Sequence, residues 1–286
     1  MTALIFIKDL VVATFGQMAS IFGGIFIFGL LIHFISRLTF ASLERAFGIR
    51  ASYLVAWLGT PIHEAGHAVF CLIFGHRITA IAFFKPDPDT GDLGYVAHRW
   101  NPKNPWHVLG NFFIGIGPVI FGCAVLFAVF YLLVPNSSVV WNSIRDAAGH
   151  IGEGNLLAGY LTLFKDSGLI MLRTVFTASN LSSWTFWVFM YLSICIASNI
   201  RLSPSDLKGT LSGLGCVVLP FLLINLIGLL CGAAGGDFLP LTASSLGIVS
   251  GIFSLALIMA LIGLIIIYPI AALYTKIRHG YFLRPF

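Results

Sequence analysis

Long apolar runs separated by short polar stretches dominate the chain. Six of them, at about 17–36, 52–75, 108–134, 184–200, 211–233 and 246–274, approach the roughly 20 apolar residues a helix needs to cross a bilayer. The fourth is the shortest. Lys8 and Asp9 interrupt the earliest apolar stretch, and no small-residue cleavage site precedes the first span, so the N-terminus reads as an interfacial lead-in. Trp106, Trp141, Trp184 and Trp187 fall near span ends, where amphipathic rings suit the headgroup level. Two stretches break the pattern. In 76–105, two β-prone runs flank a turn rich in Pro, Asp and Gly, which predicts a β-hairpin. In 135–183, Gly, Ser and Asn mix with short apolar runs, which predicts an extracytoplasmic cap of interfacial helices.

Composition sharpens this picture. The chain is 58% hydrophobic and 9% charged, whereas a soluble domain carries about 25% charged residues. The predicted fold is an all-α polytopic membrane protein of about six transmembrane helices, one membrane domain over 1–286, with a small β-hairpin after the second helix. The net charge of +5 is spread through the loops. It suits contact with the lipid bilayer, and no basic run interleaved with aromatics points to nucleic acid. With six spans, the larger share of the 16 Lys and Arg residues falls inside if both termini are cytoplasmic, as in a multi-pass protein of a bacterial inner membrane. The basic stretch at 37–50 dissents. All five cysteines lie in apolar segments without a C-x-x-C pair, which argues against a disulfide framework and against a thiolate zinc site.

Candidate chemistry sits in the second span, as His63-Glu64-Ala65-Gly66-His67. Residues four apart lie one helical turn apart on one face, so both imidazoles can reach one metal ion. Glu64 is the only carboxylate of 52–75, which holds no Lys or Arg. Ionisable groups at membrane depth are costly and usually mark function. Beside the first histidine, Glu64 is placed to reach a metal-bound water. The bland alternative is a polar cluster bonding neighbouring helices. Cys71, four residues after His67, is either a further soft ligand or a small buried cysteine. Thr60-Pro61 is either a helix break that admits water or a simple kink.

A catalytic metal usually takes three protein ligands and keeps one position open. Asp206, in Ser203-Pro204-Ser205-Asp206 between the fourth and fifth spans, is the best-placed carboxylate. The same four residues also read as a helix start with Asp206 at the third position. The hairpin allows two readings as well, a surface ribbon or an open strand edge that holds an unwound peptide by main-chain hydrogen bonds.

HEAGH in a membrane helix, the hairpin, the Gly115-Ile116-Gly117-Pro118 span and a later Asp at a helix start resemble the site-2 protease family of intramembrane zinc metalloproteases, over about 52–210. The resemblance implies a catalytic core hydrolysing peptide bonds in or next to transmembrane segments of a membrane-protein substrate. It implies Zn2+ held by His63, His67 and Asp206, with Glu64 as catalytic acid/base. The chain departs from the family's Asn-x-x-Pro and Asp-Gly pattern at Asn199 and Asp206, which is followed by Leu207-Lys208-Gly209. Asn111 and Asn199 are candidate contacts for charge developing on the scissile carbonyl. Substrate choice would rest on the membrane domain or a regulatory membrane partner. Two other functional classes fit the same residues: a transporter or scaffold with a structural zinc site, and a membrane-anchored peptidase of peripheral substrates.

Overall fold

The computed structural model describes residues 3–87, 91–149, 156–231 and 243–284. The order of elements is α1 (Ala3–Phe47), α2 (Ile49–Ile73), β1 (Arg77–Ala82), β2 (Tyr95–Arg99), α3 (Pro105–Leu133), α4 (Ser137–Gly149), α5 (Leu156–Val175), α6 (Ala178–Leu181), α7 (Trp184–Ala197), α8 (Pro204–Leu230) and α9 (Ala243–His279). Among the described residues, four helices are long and apolar enough to cross a membrane: Ile21–Phe47, Pro105–Leu133, Pro204–Leu230 and Val249–His279. The other two expected spans are helical but differ from these. The 14 residues of α7 rise only about 21 Å, short of a roughly 30 Å hydrocarbon core. The 25 residues of α2 are long enough, but their polar motif keeps them outside that set.

The expected 37–50 loop is absent, because α1 continues through it as helix. Thr39 and Ser42 donate back to the Ile35 and Leu38 carbonyls at 3.0 and 2.7 Å, so their hydroxyls cost little inside the helix. Phe40 and Leu43 then pack on Val55 and Ala56 of α2. Gly48 alone, at φ +86°, turns the chain into α2. The far end of α1 also meets the C-terminal end of the chain, since Arg45 donates to the Arg284 carbonyl. Ala3 and Arg284 therefore sit at opposite ends of a helix roughly 70 Å long.

The 135–183 stretch packs into the main core. Val140, Trp141 and Ile144 of α4 and Met171 and Val175 of α5 join one buried cluster with Phe112, Phe130, Phe186 and Phe189. Trp141 is buried against Phe127, whereas Trp106, Trp184 and Trp187 are exposed as an interfacial position requires. Residues 150–155 of this stretch lie outside the described residues.

Lipid tails are as apolar as leucine, so close contact rather than water exclusion must hold α2, α3 and α8 together. Glycines supply it. A Cβ on Gly66 would lie 2.7 Å from the Pro118 Cα, and one on Gly117 would lie 2.9 Å from the Gly66 carbonyl oxygen. A Cβ on Gly115 would lie 2.5 Å from the Asp206 carbonyl oxygen. Thus α3 receives the histidine helix at Gly117-Pro118 and the aspartate helix at Gly115, two residues apart.

Candidate metal centre

His63 and His67 lie in an unbroken α2, with Pro61 inside it. Of the two readings of Thr60-Pro61, the helix break does not occur. Each ring is fixed through Nδ1 to a main-chain carbonyl: His63 to Asn199 at 3.0 Å and His67 to Ile114 at 2.8 Å. A carbonyl only accepts, so both Nδ1 atoms carry the proton. In the neutral rings, both Nε2 lone pairs are then directed away from those carbonyls, toward Asp206.

Both acceptors exist for a local reason. Four residues after Ile114 stands Pro118, which has no N–H to close the helical bond, so the Ile114 carbonyl is released to His67. Asn199 lies two residues beyond α7, where its carbonyl meets no helical donor and accepts from the Arg201 N–H at 2.9 Å as well as from His63. A proline and a helix end thus set the tautomer and the pose of the two imidazoles.

Asp206 fills both roles that its local sequence allows. The Ser203 N–H donates to Asp206 Oδ2 at 2.8 Å, and the Asp206 N–H donates to Ser203 Oγ at 3.2 Å, a complete capping box. The same carboxylate places Oδ1 3.2 Å from His67 Nε2 and Oδ2 3.8 Å from His63 Nε2. One donor atom from each residue lies within 4.8 Å of the others. Nitrogen and oxygen ligands about 2.0–2.2 Å from a tetrahedral metal lie roughly 3.3 Å apart, close to the observed spacing. Neutral rings in this tautomer set lone pairs against a carboxylate, a repulsion that a cation between them turns into attraction. The donor set fits a metal ion.

The cluster opens on a cavity of about 490 Å³ lined by Glu64, Asn111, Arg201 and the stretch from Gly91 to Val96. Glu64 is buried, and a Cβ on Gly94 would lie 3.0 Å from its Cγ, so the hairpin shares the cavity wall with the acid. The ribbon reading of the hairpin therefore gives way to one in which it borders the site. β1 and β2 pair antiparallel, and no third strand joins them among the described residues. The side-chain Nδ2 of Asn111 is buried and makes no hydrogen bond within the described protein. Asn199 differs. Its Nδ2 donates to the Cys195 carbonyl at 3.0 Å, its Oδ1 accepts from Thr60, and its main-chain oxygen holds His63. Its described bonds make it a positioning residue for His63.

Arg201, between α7 and α8, joins the wall of the site although no sequence pattern distinguishes it. Burial lowers its pKa from the ordinary arginine value, and the charges of Asp206, Glu44 and Glu64 oppose that shift. Its guanidinium also stands over the Phe40 ring, 5.4 Å from the centroid.

Cys71 belongs to a different group. Each four-residue step along an α-helix turns about 40° past a full turn, so Cys71 has rotated roughly 80° from His63. It faces His76 and His98, and one ligand atom from each of the three lies within 4.8 Å of the others. Burial lowers both imidazoles from the ordinary histidine value, which leaves them neutral at pH 7.

Comparisons with models of known families, with curated proteins and with solved structures found no match to this chain.

Proposed function

We propose that this chain is an intramembrane zinc metalloprotease that hydrolyses peptide bonds in or next to transmembrane segments of membrane proteins. The observation that carries the reading is the convergence of His63, His67 and Asp206 from two helices around one point, beside a buried acid and an open cavity. A transporter or structural zinc site needs neither Glu64 beside the cluster nor an orphaned amide donor in the same wall.

Zinc, when bound by His63, His67 and Asp206, supplies a Lewis acid that polarises the scissile carbonyl and makes water acidic enough to lose a proton near neutral pH. Glu64 takes that proton and returns it to the leaving amine. Asn111 offers its unused Nδ2–H to the carbonyl oxygen as charge builds there. The extended segment entering β2 aligns the substrate. A helical segment must unwind before attack because its amides are already paired, and a strand edge offers replacement partners. In this reading the protein works in a bacterial inner membrane, and its substrate enters laterally from the bilayer.

Purified protein in proteoliposomes, given membrane-spanning and soluble peptides of the same cleavage sequence, tests this. The expected result is cleavage of the spanning peptide, lost on chelation, restored by Zn2+ and absent in Glu64→Gln. Full activity in Glu64→Gln overturns it, as does a zinc-loaded wild type that leaves every spanning peptide intact. Equal cleavage of the soluble peptide would instead favour a peptidase of peripheral substrates.

A further inference from the structure

The second cluster is assembled by local geometry. At the C-terminus of α2, Gly75 adopts φ +72°. The His76 N–H donates to the Cys71 carbonyl at 2.8 Å and the Gly75 N–H to that of Leu72 at 3.2 Å. This is a Schellman motif, which folds the chain back over the last turn and brings His76 beside Cys71. The hairpin register then pairs Ile78 with His98 and delivers the third side chain.

The tautomer of His76 is set from outside the cluster. Its Nε2 lies 2.8 Å from the His107 main-chain oxygen, an acceptor only, so Nε2 carries the proton and the Nδ1 lone pair is free. That Nδ1 lies 3.0 Å from His98 Nδ1. A carbonyl behind a histidine, fixing the ring and leaving the other nitrogen bare, is the usual support of a metal-bound imidazole. Cys71 and His76 are buried and His98 is partly buried. The group holds no carboxylate, so its donors suit a borderline or soft metal rather than calcium or magnesium.

We infer that Cys71, His76 and His98 form a second metal site, suited to Zn2+ bound by one thiolate and two imidazoles. Binding would release the Cys71 thiol proton to solvent and shift the His98 proton from Nδ1 to Nε2, the tautomer that frees Nδ1. The site joins the end of α2 to β2, one turn beyond His67. It thereby pins the hairpin whose neighbouring segment borders the cavity. It does not depend on the hydrolytic reading of the first cluster.

The test is metal content and Co2+ absorption of the full chain in detergent. Wild type is expected to hold two metal ions per chain, with a thiolate-to-Co2+ charge-transfer band in the near ultraviolet. Cys71→Ser is expected to hold one and lose the band. His63→Ala/His67→Ala is expected to hold one and keep the band. If Cys71→Ser does not fold, the double variant still decides, because neither of its positions belongs to the second cluster. Co2+-loaded wild type without the band overturns the second site, as does a Cys71→Ser that keeps the wild-type ion count; a single wild-type ion whose band survives in the double variant belongs to the second site. Loss of a single wild-type ion in the double variant would leave the first centre standing and remove only this one.

Discussion

The two histidine clusters of α2 lie one helical turn apart and are built on opposite plans. The first gathers residues 63 to 206 from helices that α3 holds together, and it opens on a polar cavity. The second draws on residues 71 to 98, through a helix cap and a hairpin register, and its three members include no carboxylate. Each takes its orientation from main-chain carbonyls behind the rings. The difference shows what chemistry demands beyond ligands. Only the first combines space, a buried carboxylate and an unused donor, which reactive sites need and holding sites do not.

The sharpest way to break this contrast is to remove the acid. Glu64→Gln is expected to lower cleavage by roughly 10²–10⁴-fold with metal content unchanged, measured by peptide turnover and elemental analysis. Next comes the donor. Asn111→Ala is expected to lower kcat by about 10²–10³-fold with little change in KM or bound metal. The carbonyl support can be tested through Pro118→Ala, which restores an N–H able to compete for the Ile114 oxygen. Metal affinity at the first cluster is expected to fall about 10–100-fold, the usual cost of losing an outer partner, while the thiolate band of the second stays. The smallest effect isolates the cap. Ser203→Ala should cost about 1 kcal/mol of stability, seen in thermal unfolding, and should keep the first metal because the Ser203 N–H still holds Asp206.

The motif, the hairpin and most helices were legible because periodicity and turn chemistry are local. Asp206 was legible in both of its roles, yet sequence alone set them against each other. The structure joins them, because a carboxylate has two oxygens to share. The helical 37–50 stretch was hidden because its hydroxyls bond backward and its apolar face packs on α2, facts only the fold supplies. Spacing left Cys71 open between a ligand beside His63 and His67 and a small buried cysteine, and its grouping with His76 and His98 was hidden because four-residue spacing drifts with each repeat. Arg201 gave no sequence signal at all. The role of Pro118 left a trace in hindsight: a proline four residues after Ile114 marks an unpaired carbonyl, but not which ring will claim it.

Sharing one carboxylate between a helix start and a cation cage has a thermodynamic consequence. Occupancy of the cage and ordering of the first turn of α8 become linked equilibria, each favouring the other. The capping box closes through the chain's own hydrogen bonds, so in the proposed function loading would tighten a turn already formed rather than build it.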